Sequence, residues 1–546
     1  MIIFAEIKKY YMGNLHIGMT FSGGGYRAAT FDLGGLSLLN ALKIDDNKTL
    51  LDCVTALTSV SGGTITALKY MLARANGQDV NAMVAELFSF LCDEDLVVRA
   101  MKGLSQERAN RNASAIKIMA GIYDEVLYKG AVMQDIIDNL DRIPVKDFTA
   151  LATDFDNSLP FRFRITEGRM TTGERLTYGV FGNQKHRIGR SIAGRIRLGE
   201  ALACSSCFPS GFEPMMYPDD FKVSQEDDVD IYSQMRFGLM DGGIVDNQGI
   251  EPVLLAEERM RKYREDKARE DKALDLIIVS DVSSPYMEGY EPSEQMLPHG
   301  VGKLTLGRLR NYGLIAECVA MSLFILALVM DSGFWVGLMS VVLALVTVLN
   351  IAGALFKNRL FRAIASTFVG NNATFISHLK FSTLEAMLMN RAKSVIMMSS
   401  DVFLKHLRKM NYETLYNDEQ WHNRTLTTTV YELREGERWD SMRRNGTLSE
   451  YLAPSDAMQE NSKLAAGMGT TLWFTAADKE KGMPQAIMAD GQYTMCYNLL
   501  EYIDKVQEDG ANLTEGHQQL IALRPQLMEM WNKFQQDPQW MVPKDQ

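Results

Sequence analysis

The stretch His16-Ile17-Gly18-Met19-Thr20-Phe21-Ser22-Gly23-Gly24-Gly25-Tyr26-Arg27 sets the architecture. His16 to Phe21 is short and rich in β-formers, three glycines break it, and Ala28 to Leu42 carries apolar residues at helical spacing. A second unit of the same kind follows. Cys53 to Thr58 reads as a buried strand, Ile65 to Ala75 as a helix, and Gly62-Gly63 separate them. Phe148 to Thr153, Met235 to Met240 and Leu274 to Ser280 read as further strands, the last an apolar run suited to a central parallel strand. Strands alternating with helices predict an α/β sheet covered on both faces.

Three motifs on this frame carry chemistry: Gly23-Gly24-Gly25-Tyr26-Arg27, Ser59-Val60-Ser61-Gly62-Gly63 and Asp241-Gly242-Gly243. A serine hydroxyl is a weak nucleophile unless a base takes its proton and a tight turn presents its oxygen. A strand-to-helix turn flanked by small residues supplies that presentation at Ser61, with Ser59 in the first glycine position of a GxSxG pattern. Ser59 is the local rival; the glycine pair directly after Ser61 favours Ser61. The triple glycine lets backbone N–H groups approach an oxyanion, where one donor contributes ~3 kcal/mol in the transition state. A phosphate-binding turn is the other reading, but the P-loop lysine and the spaced Rossmann glycines are missing. Arg27 would stand in the first helical turn, bracing the loop or meeting a phosphate. Asp241 follows a strand and precedes two glycines, as a base for Ser61 or as a plain Asp-Gly turn; Asp246 and Asn247 are nearby alternatives read as turn or wall residues. None of the seven histidines lies in a segment these motifs mark.

The order and wording of the motifs resemble the patatin-like phospholipases. Phe148-Thr149-Ala150-Leu151-Ala152-Thr153-Asp154 looks like a strand of that family. Ala201 to Pro209, followed by Phe212 and Pro214, is similar to its small-residue helix ending at a proline. The resemblance runs from Leu15 to Pro285. It implies a three-layer α/β/α sandwich with a mostly parallel central sheet. It also implies acyl-ester hydrolysis by a Ser61–Asp241 dyad without histidine, with oxyanion binding by Gly23, Gly24 and Gly25. Arg27, Gly63, Gly242 and Gly243 are the supporting residues, and neither metal nor cofactor is called for. An acyltransferase or peptidase on the same dyad, or a non-catalytic patatin-fold protein, are the competing readings.

Composition narrows the rest. A length of 546 residues, 46% apolar and 23% charged, is ample for a core. A net charge of −11 argues against a general nucleic-acid binder. Six cysteines in so long a chain make no disulfide framework; Cys204 and Cys207 form a CxxC without a second ligand pair, so reduced thiols fit best. Met1 to Ala5 is apolar, but Glu6, Lys8 and Lys9 interrupt it before a signal-type hydrophobic region forms. Glu257 to Lys272 is a dense mixed-charge run expected to be a solvated helix.

Gly313 to Met330 and Gly333 to Phe356 are adjoining apolar stretches joined by Asp331-Ser332. The second, at 24 residues without a charge, makes roughly 36 Å of helix, enough for a bilayer core of about 30 Å. The first is shorter and contains Glu317. Lys303, Arg308 and Arg310 on one side and Lys357, Arg359 and Arg362 on the other flank the pair. The expectation is a transmembrane hairpin with both soluble parts facing the cytoplasm; a buried hairpin is the alternative. The anticipated organisation is thus a catalytic domain over 1–300, the hairpin over 313–356, and a mostly helical C-terminal region over 357–546 that packs back on the catalytic domain. Helical Leu384 to Leu407 and β-like Thr425 to Leu433 belong to that region. The expected partner is a membrane phospholipid or lysophospholipid, with no nucleic acid; homo-oligomerisation stays open.

Overall fold

The computed structural model describes residues 15–93, 96–106, 114–169, 175–209, 211–223, 235–263, 273–284, 289–294, 296–368, 378–434, 450–509 and 514–544. They fall into two compact units, one drawn from Met1–Tyr286 and Ser400–Gln546, the other from Met287–Ser399.

The first unit is built on a ten-stranded mixed sheet. Its strands are β1 (Ile17–Phe21), β2 (Val54–Val60), β3 (Asp147–Asp154), β4 (Leu159–Arg169), β5 (Arg175–Gly182), β6 (Arg187–Ile188), β7 (Met215–Tyr217), β8 (Phe237–Asp241), β9 (Leu276–Asp281) and β10 (Thr425–Thr429). The order is β10-β9-β1-β2-β3-β4-β5-β6, and β8 pairs antiparallel with β3 and β7. The pairs from β10 to β3 are parallel, as the strand–helix alternation predicts. Beyond β3 the sheet turns antiparallel through β4, β5 and β6. That half is a meander with short connections, and only a crossover helix would have made it parallel.

Both faces of the sheet are buried. Along β9, Leu276 and Ile278 enter one apolar core while Ile277 and Val279 enter another. Alternation to opposite faces with apolar residues at every position is what a doubly covered strand requires. The covering helices named below are α1 (Gly25–Ala41), α2 (Gly62–Ala75), α3 (Leu198–Ser205) and α4 (Ile250–Tyr263), joined from the C-terminal side by α8 (Phe403–Asn417) and α9 (Met483–Asp509). Helix α9 lies directly on α1, because a Cβ at Gly34 would stand 2.2 Å from Met488 O and one at Gly491 2.1 Å from Phe31 O.

Three local expectations need correction. Glu257 is no part of a solvated face: it is 1% exposed and paired with Arg424 at 2.8 Å, while residues 264–272 lie outside the described residues. The expected helix Leu384 to Leu407 is interrupted by a π-turn at Met398–Val402. The strand begun at Thr425 ends at Thr429, where its pairing with β9 stops.

The second unit holds α5 (Leu306–Val329), α6 (Gly333–Phe368) and α7 (Phe381–Met397). Helices α5 and α6 each contain 23 residues apolar and long enough to cross a membrane, and almost none of either stretch is buried. They meet through a polar knot. Glu317 accepts from Thr347 Oγ1 at 3.1 Å and from Asn350 Nδ2 at 2.9 Å, and Asn350 also donates to Gly313 O at 3.0 Å.

Candidate active site

The sheet register brings the three motifs together. Parallel strands β1 and β2 are neighbours, with Phe21 opposite Ser59, so the loops that follow them leave the same edge side by side. On the far side of β2, Val60 pairs with Leu151 of β3, and Ala152 pairs with Asp241 at the end of β8. The carboxyl ends of parallel strands are where open α/β sheets place their chemistry.

Ser61 sits between β2 and α2 at φ 50°, ψ −120°, a conformation that costs a non-glycine residue free energy, and it is partly exposed. Neighbouring groups hold it there. Its N–H donates to Ser205 Oγ at 2.9 Å, and Thr64 N–H donates to its carbonyl at 2.9 Å. Ser205 is itself fixed by Leu151 O at 2.7 Å and by the Thr64 hydroxyl at 2.9 Å. Ser59 is fully buried beneath the turn, its Oγ accepting from Thr64 at 3.1 Å. The two serines therefore differ in access.

Asp241 is 5% exposed, and its carboxyl lies close enough to the Ser61 hydroxyl for that hydroxyl to favour the ionised form. Gly243 N–H donates to Asp241 Oδ1 at 2.7 Å. The backbone is tied by Asp241 N–H to Cys207 O at 2.9 Å, Gly242 N–H to Ser205 O at 3.2 Å and the Thr153 hydroxyl to Asp241 O at 2.7 Å. Burial pushes the carboxyl up to about 6, against the opposing pull of the Gly243 N–H and the Ser61 hydroxyl. A carboxyl in that range is far better matched to a serine proton than one at its ordinary value.

The glycine loop flanks Ser61. A Cβ at Gly23 would lie 3.2 Å from Ser61 Cβ, and one at Gly62 would lie 2.1 Å from Gly25 O. Gly24 at φ 153° and Gly25 at φ 60° need glycine, and α1 starts at Gly25, against the first residue of α2. Gly23 N–H is taken by Asn247 O at 3.0 Å, and Tyr26 N–H by Thr471 O at 2.7 Å. Gly63 lets α2 close on β1, since a Cβ there would meet Phe21 Cβ at 2.7 Å.

Arg27 is 4% exposed and turned to the C-terminal region, donating to Met468 O and, at 3.0 Å, to Tyr431 OH, with the guanidinium 5.6 Å from the Tyr431 ring. It braces the start of α1 rather than opening toward a ligand. Cys204 and Cys207 are buried free thiols that burial keeps protonated, small residues of and after α3. Among the described residues no three His, Cys, Asp or Glu side chains converge on a metal-sized site.

Sequence reasoning passed over Ser205, Thr64 and the part played by Asn247. Ser205 falls inside the Ala201–Pro209 segment, but nothing local distinguishes it from Ser206; only the fold brings it beneath Ser61. Asn247, expected as a turn or wall residue, holds the glycine loop through its carbonyl.

Two solved structures align with the chain at low similarity. Human GIVD cytosolic phospholipase A2 is 16% identical, with 49% of this chain and 43% of that chain covered and a TM-score of 0.30. This chain therefore spans less than half the length of that protein. VipD from Legionella pneumophila is 11% identical over 97% of this chain and 89% of that chain, with a TM-score of 0.24. No curated protein sequence matches the chain. Residues 19–254 match the sequence profile of the family described as Patatin-like phospholipase. The segment that holds the glycine loop, the serine turn and the aspartate is thus a domain of the patatin-like phospholipase family.

Proposed function

We propose that the protein is a membrane-anchored serine lipid acyl hydrolase of the phospholipase or lysophospholipase type. The observation that carries this reading is the convergence of Ser61, on a strained turn, with the buried carboxyl of Asp241 and a glycine loop packed against the serine. Ser61 Oγ attacks the ester carbonyl as its proton passes to Asp241. The oxyanion is taken by the N–H groups of Gly24 and Gly25, because Gly23 N–H is already bonded to Asn247 O. Collapse of the intermediate expels the alcohol, which takes the proton from Asp241. Water, deprotonated by the same carboxylate, then releases the fatty acid and restores Ser61.

Helices α5 and α6 serve as a spanning hairpin that keeps the enzyme on the membrane that holds its substrate, with both soluble parts on the cytoplasmic side. A fluorophosphonate probe tests the nucleophile. Wild type should be labelled on the peptide containing Ser61 and Ser61→Ala should not; label retained in Ser61→Ala would sink the assignment. Alkaline carbonate extraction tests the anchor, which predicts protein in the membrane pellet and is contradicted by protein in the supernatant.

A further inference from the structure

Helix α8 reaches two buried aspartates whose loops frame the candidate site. Arg408 Nε donates to Asp281 Oδ2 at 2.7 Å, and Tyr412 OH donates to the same oxygen at 2.9 Å. Between them in sequence, Asn411 Nδ2 donates to Asp246 Oδ1 at 2.9 Å. Positions 408, 411 and 412 share one helix face. Asp246 is 2% exposed and Asp281 0%.

Each aspartate organises its own loop. Asp281 Oδ1 accepts Ser283 N–H at 2.8 Å. Asp246 accepts the N–H groups of Gln248, Gly249 and Glu251 at 3.2, 3.0 and 2.8 Å. The loops then join: Asn247 Nδ2 donates to Ser283 Oγ at 2.7 Å, and Asn247 O takes Gly23 N–H at 3.0 Å. An unbroken set of hydrogen bonds therefore runs from α8 to the first residue of the glycine loop. None of these side chains bonds to Ser61 or to the Asp241 carboxylate among the described contacts, so the dyad reading leaves them without a role.

We infer that Arg408, Asn411 and Tyr412 are positioning residues for the oxyanion loop. They fix the Asp246 and Asp281 loops, which seat Asn247 against Gly23 and thereby aim the N–H groups of Gly24 and Gly25. This rests on the reading of Ser61 as nucleophile. A donor displaced by about 1 Å from a developing oxyanion forfeits most of its effect, on the order of 10²-fold in rate, without touching ground-state binding. The loss therefore falls on kcat and leaves KM in place.

The test uses the full chain in detergent, with a short p-nitrophenyl ester as substrate and a fluorophosphonate as probe of Ser61. Asn411→Ala and Arg408→Ala should lower kcat and the phosphonylation rate together, by about 10- to 100-fold, with KM within about twofold of wild type. Arg408→Lys, which keeps a cation beside Asp281, should recover part of the loss. Lys409→Ala, an exposed neighbour on α8, should behave as wild type. If Arg408→Ala fails to fold, Tyr412→Phe removes a single hydrogen bond and carries the same comparison. Wild-type labelling with equal labelling and turnover in the Asn411 and Arg408 variants overturns the inference while leaving Ser61 in place. Absence of labelling in wild type overturns the Ser61 reading, and the inference falls with it.

Discussion

At the residue scale, Asp241 is held where its ionised form is disfavoured, with a carboxyl pushed from 3.8 to about 6 by burial. A shift of roughly 2 units corresponds to about 3 kcal/mol of preference for the protonated form in the folded state. Because the folded value lies above the unfolded one, this contribution to stability is full below about pH 4 and lost as pH rises through about 6. Asp241→Asn should therefore be inactive yet more stable than wild type at pH 8, by up to about 3 kcal/mol, with the gain shrinking toward pH 4. Denaturant melts of both proteins at pH 4.5 and 8 check this; equal stability at both pH values would contradict it. As the proposed base, Asp241 would have to be ionised to accept a proton, so kcat should fall on the acid side with a midpoint near 6. A pH–rate profile flat from pH 5 to 8 would exclude Asp241 as the base. Ser61 and Asp241 stand out in the sequence because their turns need glycine neighbours. Ser205 and Thr64 carry no such mark: each is one ordinary hydroxyl among many until the chain folds and places them beneath the serine.

At the element scale, the two strand–glycine–helix units were legible because periodicity changes sharply at each glycine break, from β1 into α1 and from β2 into α2. The antiparallel half of the sheet was not, since β4 and β5 carry arginine and threonine at several positions and lack the continuous apolar run that marks a buried strand. At Gly62 two elements come into close contact. An added methyl would stand 2.1 Å from Gly25 O and 2.5 Å from Gly25 N, so the glycine loop itself must move. Gly62→Ala should lower the phosphonylation rate of Ser61 by about 10²-fold or more in folded protein. A labelling rate within threefold of wild type would show that the loop is not held against α2 as described.

At the scale of the whole molecule, the family match ends at residue 254, but the sheet does not. Strand β10 closes the edge beside β9, Arg424 neutralises the buried Glu257, and α9 covers α1, all from sequence beyond 400. That long-range completion is invisible to local patterning, because its pairs are separated by hundreds of residues. A fragment ending at Tyr286 should consequently lack a cooperative thermal transition and bind a hydrophobic dye. A fragment that melts cooperatively would contradict the view that the C-terminal region is part of the core. The apolar helices, by contrast, were plain in the sequence, since length and sustained apolarity suffice to mark them.

The central claim is that Ser61 and Asp241 hydrolyse acyl esters of membrane lipids. The most direct measurement is release of free fatty acid from mixed phospholipid and lysophospholipid vesicles carrying the reconstituted protein, beside Ser61→Ala and Asp241→Asn. The account predicts release by wild type and none above background by either variant, with folded protein in all three cases. Equal release by wild type and Ser61→Ala would contradict it, as would a wild type labelled at Ser61 that frees no fatty acid from any lipid offered.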